Sequence, residues 1–230
     1  MYNDKNFLAL IPARGGSKRL PGKNIRELCE EPLINWTIKS ALNSKYIDEI
    51  IVSSDSDEIL NIASSADIKT LNRPSHLAKD DSSTIDVVLH SLQNLPKFDY
   101  VIVLQVTSPL RSSKNIDEAI ELLDRKNADA VISVCATSHP PFWSNILDDS
   151  QSMENFLPQN IINKRSQDFE KYYRINGAIY ICDTNIAKEH QTLFPKKNTF
   201  AYIMSRELSI DIDEEIDFLF CENYLRNTKR

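Results

Sequence analysis

The sequence predicts an α/β fold, a mostly parallel sheet with helices on both faces. Short continuous apolar runs alternate with segments of helical periodicity, and that order builds a parallel sheet. A glycine-rich basic loop directly follows the first apolar run, where doubly wound sheets place a phosphate ligand. At 230 residues and 41% hydrophobic content the chain has room for one sizeable core, so residues 1–230 are read as a single domain.

Phe7 to Ile11 is apolar throughout, as befits a strand buried on both faces. Glu31-Pro32 opens a helix to about Leu42, because proline suits the first helical position. Ile47 to Ser53 is a second strand, followed by a helix near Asp57–Ser65. Thr84 to Leu95 is helical, and Tyr100 to Leu104 is another buried strand. Ser112 or Ser113 can cap a helix that runs to Arg125. Ala130 to Val134 is a strand. Residues 138–173 break the pattern: His139-Pro140-Pro141-Phe142-Trp143 leads into a polar stretch too long for a plain connection. That insertion reads as a lid, a protruding subdomain or a dimerisation arm. The sheet resumes at Arg174–Cys182. Phe200–Met204 and Leu208–Ile212 are short strands, and Asp213–Leu225 is a closing amphipathic helix.

Composition narrows the class. No apolar stretch reaches the length of a membrane span, and the N-terminus lacks a signal-peptide core, so no membrane partner is expected. A net charge of -6 argues against non-specific nucleic-acid binding. Cys29, Cys135, Cys182 and Cys221 are scattered without a CxxC pair, which fits free thiols in a reducing cytoplasm. His76, His90, His139 and His190 are as dispersed, which disfavours a histidine metal site.

The chemistry concentrates in a few stretches. Three of the 4 glycines, Gly15, Gly16 and Gly22, fall in one loop with Arg14, Ser17, Lys18, Arg19, Lys23 and Asn24. Exposed backbone N–H groups and cations together suit a polyphosphate; a surface turn is the plain alternative. The spacing is not that of a P-loop, and no GxGxxG is present. Asp211 and Asp213 project from one face of an extended segment, and two adjacent carboxylates call for a cation such as Mg2+; Asp213 could instead cap the following helix. Gln105, Thr107, Ser108 and Arg111 put an amide, hydroxyls and a guanidinium at a strand's carboxyl end, which suits a polyhydroxylated acid or forms an ordinary turn. Arg73 with Asp80, Ser82 and Thr84 makes another polar loop. Gly177, isolated in a strand, marks close backbone approach. Arg165 or Arg174 could pair with a carboxylate, or lie on the surface.

These blocks occur in order: ALIPARGGSKRLPGKN, SSD at 53–55, RP at 73–74, LQVTSPLR at 104–111, RINGAIYI at 174–181 and SIDID at 209–213. Together the chain resembles the CMP-sialic acid synthetases, the acylneuraminate cytidylyltransferases, over residues 7–224. The resemblance implies a Rossmann-like fold of the nucleotide-diphospho-sugar transferase type and a homodimer built through an arm at 138–173. It implies that CTP and a 2-keto-3-deoxy sugar acid are the substrates and Mg2+ the cofactor. Carried over by position, Arg14, Gly15, Gly16, Ser17, Lys18 and Lys23 hold the triphosphate, with Arg14, Lys23 and Asp211 catalytic. Asn24, Arg73, Ser82 and Thr84 hold ribose and base. Gln105, Thr107, Ser108, Arg165, Arg174 and Asn176 face the sugar acid, and Asp211 and Asp213 bind the metal. N-acetylneuraminate is the implied acid, with legionaminic, pseudaminic, deaminated nonulosonic and octulosonic acids as alternatives; a non-catalytic nucleotide-binding relative is the reading outside enzymes. No residue stands out as the general base.

Overall fold

A computed structural model describes residues 1–17 and 19–228. Seven strands form one sheet: β1 (Phe7–Pro12), β4 (Glu49–Ser54), β5 (Lys69–Asn72), β6 (Tyr100–Val103), β7 (Ala130–Ala136), β8 (Tyr173–Asp183) and β9 (Thr199–Met204). Their order across the sheet is β5-β4-β1-β6-β8-β7-β9. All neighbours run parallel except β8, which is antiparallel to both β6 and β7. The remaining pair, β2 (Glu27–Leu28) and β3 (Glu31–Pro32), makes a small hairpin beside the first loop.

The two faces of β1 explain the layering. Strand β1 divides its apolar residues by parity: Phe7, Ala9 and Ile11 point to one core, Leu8 and Leu10 to the other. Helices α1 (Leu33–Leu42), α2 (Asp57–Ser65), α4 (Ser113–Lys126) and α6 (Glu215–Thr228) cover the first face through residues such as Ile38, Ile59, Ile120 and Phe218. Helices α3 (Thr84–Asn94) and α5 (Thr184–His190) cover the second through Val88, Leu92 and Ala187. Helices thus lie on both faces, as the alternation predicts.

Several boundaries differ from expectation. Glu31-Pro32 belongs to the hairpin, and α1 starts one residue later with Pro32 at its N-cap. Ser112 caps α4 in a reciprocal capping box with Asn115. Strand β5 escapes a hydrophobicity reading because it is a polar edge strand, in which only Leu71 packs on the second core. Helix α5 is short, and its signal is a cap: the Asp183 carboxylate accepts from the N–H groups of Asn185 and Ile186 at 2.8 and 3.0 Å. Residues 208–212 are not a sheet strand. After β9 the chain turns at Ser205–Ser209, where the Ser209 hydroxyl donates to the Ser205 carbonyl at 2.6 Å, and then bonds the loop after β6 through Ile212 N–H to the Thr107 carbonyl at 2.8 Å.

Residues 137–172 contain no strand, only three short 3-10 turns at Pro141–Trp143, Gln159–Ile161 and Ser166–Asp168. Their two ends are stitched together: Phe142 meets Phe169 and Tyr172 with ring centroids 6.3 and 5.5 Å apart, and Trp143 meets Phe169 at 5.7 Å.

Candidate active site

A cavity of about 590 Å³ opens at the carboxyl ends of β1, β5 and β6. The first loop forms one wall. Ala13 N–H still bonds the Ser53 carbonyl of β4 at 3.0 Å, after which the chain leaves the sheet. Gly15 packs so tightly on Ser56 that an added Cβ would lie 3.0 Å from its Cβ, while its N–H donates to Asp55 at 2.9 Å. A Cβ on Gly16 would meet nothing within 4 Å, so its backbone is open to a ligand. Gly22 has φ +65°, and this left-handed turn swings Lys23 inward. Lys23 is buried, donating to the Ile212 carbonyl and lying 3.3 Å from an Asp213 carboxylate oxygen. Asn24 donates to the Arg14 carbonyl at 2.8 Å, which ties the loop's end to its start.

Arg14, Gly16, Ser17, Arg19, Lys23, Asn24, Arg73, Gln105, Thr107, Asp211 and Asp213 all line this cavity. Arg14 pairs with Asp80 at 2.8 Å across the opening. Arg73, although 5% exposed, has a buried Nε with no partner; burial pulls its pKa down, opposed by nearby Asp55. A buried guanidinium with spare donors facing a polar cavity is suited to a ligand's acceptors. The Asp213 carboxylate faces Lys23 and Arg19, the latter at 3.0 Å, and it is Asp217 that receives the N–H groups of Asp213 and Glu214 ahead of α6. Burial raises the Asp211 pKa most, and Asp213 adds to it, while a hydrogen bond from Thr107 and the charges of Lys23 and Arg174 oppose the rise.

Strand β8 lies behind the cavity residues Gln105 and Asp211. Between Ile132 and Val134 the β7–β8 ladder is irregular, and side chains replace it. Ala178 N–H donates to Asn176 Oδ1 at 3.2 Å, Ile179 N–H to Ser133 Oγ at 2.8 Å, and Asn176 Nδ2 to Ser209 Oγ at 2.8 Å. Gly177 there has φ +77°, and a Cβ on it would lie 2.6 Å from Gln105 Oε1 and 3.6 Å from an Asp211 oxygen. Asn176 is therefore buried behind the wall and does not line the cavity. Ser108 is also fully buried, its hydroxyl without a partner. Arg174 donates to the Ser209 carbonyl at 3.2 Å. Ser82 turns its hydroxyl to the His76 carbonyl, Thr84 begins α3, and Arg165 is an exposed residue of the 137–172 segment paired with Asp168 at 3.2 Å. Lys18 lies outside the described residues.

Arg111 differs from the sequence reading. It is 1% exposed and faces the protein interior, where it bonds Ser40 of α1 and Ala178 of β8; it does not line the cavity. Arg19 is a cavity residue that the resemblance did not single out, and Asp80 is the residue of the 80–84 loop, which the resemblance assigns to ribose and base, that lines the cavity. Their signal was position alone, within the 73–84 loop and the basic loop.

Among the described residues no group of three or more His, Cys, Asp or Glu gathers to hold a metal. Asp211 and Asp213 instead offer two carboxylates on one cavity wall. That donor set fits a hard divalent cation that takes one or two carboxylates and completes its shell with water and substrate phosphate.

A doubly wound sheet with a cation-lined cavity and paired carboxylates at its carboxyl edge defines a nucleotidyltransferase-type α/β protein. A sequence model of the family described as "Cytidylyltransferase" matches residues 8–226. The CMP-N,N'-diacetyllegionaminic acid synthase of Legionella pneumophila is 36% identical, over 95% of this chain and 96% of that protein. The N-acylneuraminate cytidylyltransferase of Escherichia coli is 35% identical over 92% of this chain and 50% of that protein, so the chain spans about half that relative's length. A solved CMP:2-keto-3-deoxy-manno-octonic acid synthetase complexed with CTP superposes with TM-score 0.74 at 16% identity, covering 97% and 99% of the two chains, which speaks for the fold. The chain belongs to the cytidylyltransferase family. Cytidylyltransferases of this fold generally use a divalent metal.

Proposed function

We propose that this chain activates a nonulosonic acid: CTP and N-acetylneuraminate give CMP-N-acetylneuraminate and pyrophosphate. The observation that carries the reading is the gathering of Arg14, Lys23, Arg73, Asp211 and Asp213 around one cavity. The anomeric hydroxyl attacks the α-phosphorus of CTP, the bond to the bridging oxygen breaks, and pyrophosphate leaves in line. No covalent enzyme intermediate is required.

Arg14, Lys23 and the open backbone of Gly15, Gly16 and Ser17 hold the triphosphate and neutralise the charge that builds on the leaving pyrophosphate. Lys18 joins them by its place in the loop. Asn24 binds ribose. Arg73 offers its spare donors to the base, with the loop bearing Ser82 and Thr84 beside it. Gln105 and Thr107 orient the sugar acid, and Arg174 meets its carboxylate. Ser108 and Asn176 act from behind, by shaping the turn and strand they belong to. Arg165 reaches the sugar from the 138–173 segment. Mg2+ held by Asp211 and Asp213 would polarise the phosphoryl oxygens as a Lewis acid. Burial raises the Asp211 pKa, so a bound cation that stabilises its ionised form would suit this position.

The chain acts as a homodimer of single domains through residues 138–173. The aromatic rings at the ends of that segment pack on one another, but Ile146, Leu147, Met153 and Ile162 remain exposed and offer apolar area for a partner. No helix among the described residues is long and apolar enough to cross a membrane. Its four cysteines form no disulfide among the described residues, and CTP is a cytoplasmic metabolite, so we place the reaction there.

A second reading keeps the reaction and changes the acid to N,N'-diacetyllegionaminate. The end-to-end match to the Legionella protein favours it. Pyrophosphate release from CTP across a panel of nonulosonic and octulosonic acids tests both. Turnover with one acid and none without it is the expected result; no release with any acid would reject the enzymatic reading.

A further inference from the structure

We infer that Arg111 is a positioning residue for this reaction: its buried guanidinium clamps the end of β6 to β8 and so holds Gln105 against Gly177. The inference rests on the reading of the cavity given above. Arginine is rarely fully buried unless paired with an acid. Here it is the largest fully buried side chain, and no carboxylate pairs with it among the described residues. Nη1 donates to the carbonyls of Gln105 and Ala178, both at 3.1 Å, and Nη2 to Ser40 Oγ at 3.2 Å. Nε has no partner. Burial pushes the pKa down to about 9, so the group is still charged at neutral pH. A leucine or methionine would fill this volume without desolvating a charge. What only a guanidinium supplies is a planar fork of donors.

The topology explains the need for a fork. The β6–β8 ladder ends at Val103 opposite Tyr180. Two residues beyond, Gln105 and Ala178 both turn carbonyls toward the same interior point. Two facing acceptors repel, and one guanidinium satisfies both. The consequence lies at the cavity wall. Gln105 Oε1 fits only because residue 177 has no side chain, with 2.6 Å to where a Cβ would sit. Any drift of β6 away from β8 opens that slot and frees Gln105. Arg111 does not line the cavity, so it acts through Gln105.

The test is a double-mutant cycle on the full chain. Arg111→Lys keeps a long side chain with a terminal nitrogen donor and removes the fork. It is expected to lower kcat/KM for the sugar acid about 10- to 100-fold, the scale of an ångström-level misplacement, with KM for CTP within about threefold. In a Gln105→Ala background the same change should cost less than about threefold, because the group it positions is gone. Full additivity, or wild-type kinetics for Arg111→Lys, would overturn the inference. A readout independent of turnover is the NMR signal of the Gln105 side-chain amide, assigned by its loss in Gln105→Ala. It should move in Arg111→Lys while other glutamine amides stay, and an unmoved signal also overturns the clamp. Wild-type inactivity with every acid would instead reject the assigned reaction and leave this readout to decide. If Arg111→Lys fails to fold, Ser40→Ala removes one acceptor of the same guanidinium and is read by the same two measurements.

Discussion

Replacing Gly177 by alanine tests how the Gln105 side of the cavity is built. Two costs follow from the structure. The backbone there has φ +77°, a region that disfavours a residue with a Cβ by about 1–2 kcal/mol. The new Cβ would also lie 2.6 Å from Gln105 Oε1, whereas ordinary contact begins near 3.4 Å, so the amide must retreat by about 0.8 Å. Because that atom ends a flexible side chain, the retreat costs little stability; it costs position. For a chain of this size about 1–2 kcal/mol lowers the thermal midpoint by about 2–8 °C. A misplacement approaching 1 Å in a substrate-orienting group lowers kcat/KM for the acid by about 10- to 100-fold. Thermal unfolding and pyrophosphate release on the same preparation separate the two effects. A folded Gly177→Ala protein with unchanged kcat/KM would show that the placement of Gln105 against Gly177 is not part of the site. An unchanged midpoint would refute the backbone argument.

Three further outcomes are expected. Asp211→Ala should lose at least about 100-fold in turnover while unfolding at or above the wild-type temperature, since it removes a buried carboxylate and the charge at the centre of the site; near-normal activity would reject the metal assignment. Burial raises the thiols of Cys182 and Cys221 from 9 to about 12, so the native state favours their protonated form. Their contribution is fully present below pH 9 and is lost as the pH rises toward 12, so the thermal midpoint should fall across that window, and both thiols should resist an alkylating reagent at pH 8 until denaturant is added; rapid native labelling of either would contradict their burial. Light scattering at micromolar concentration should give about twice the chain mass of 26.3 kDa. Charged substitutions at Ile146 and Leu147 should shift that mass toward one chain, and a fully active monomer would remove the arm from the mechanism.

Much of the fold was legible because its signals are local. The apolar run of β1, the serine cap of α4 and the glycine-rich loop each depend on residues within a few positions, where sterics and capping act. The same holds for the cavity's first wall: Gly22 at positive φ and the inward Lys23 are consequences of one short turn. Even Asp211 and Asp213 share a cavity as alternation required, although their segment joins no sheet. Other features depend on chains that meet across long sequence separations. Strand β8 enters antiparallel between β6 and β7, which brings Gly177 to Gln105; nothing in either strand's composition specifies that neighbour. Arg73 and Arg111 look alike in sequence, as arginines past strand ends. Tertiary packing alone makes one a cavity residue with spare donors and buries the other between two carbonyls, because the direction of a long side chain is decided by which acceptors the folded chain leaves unsatisfied.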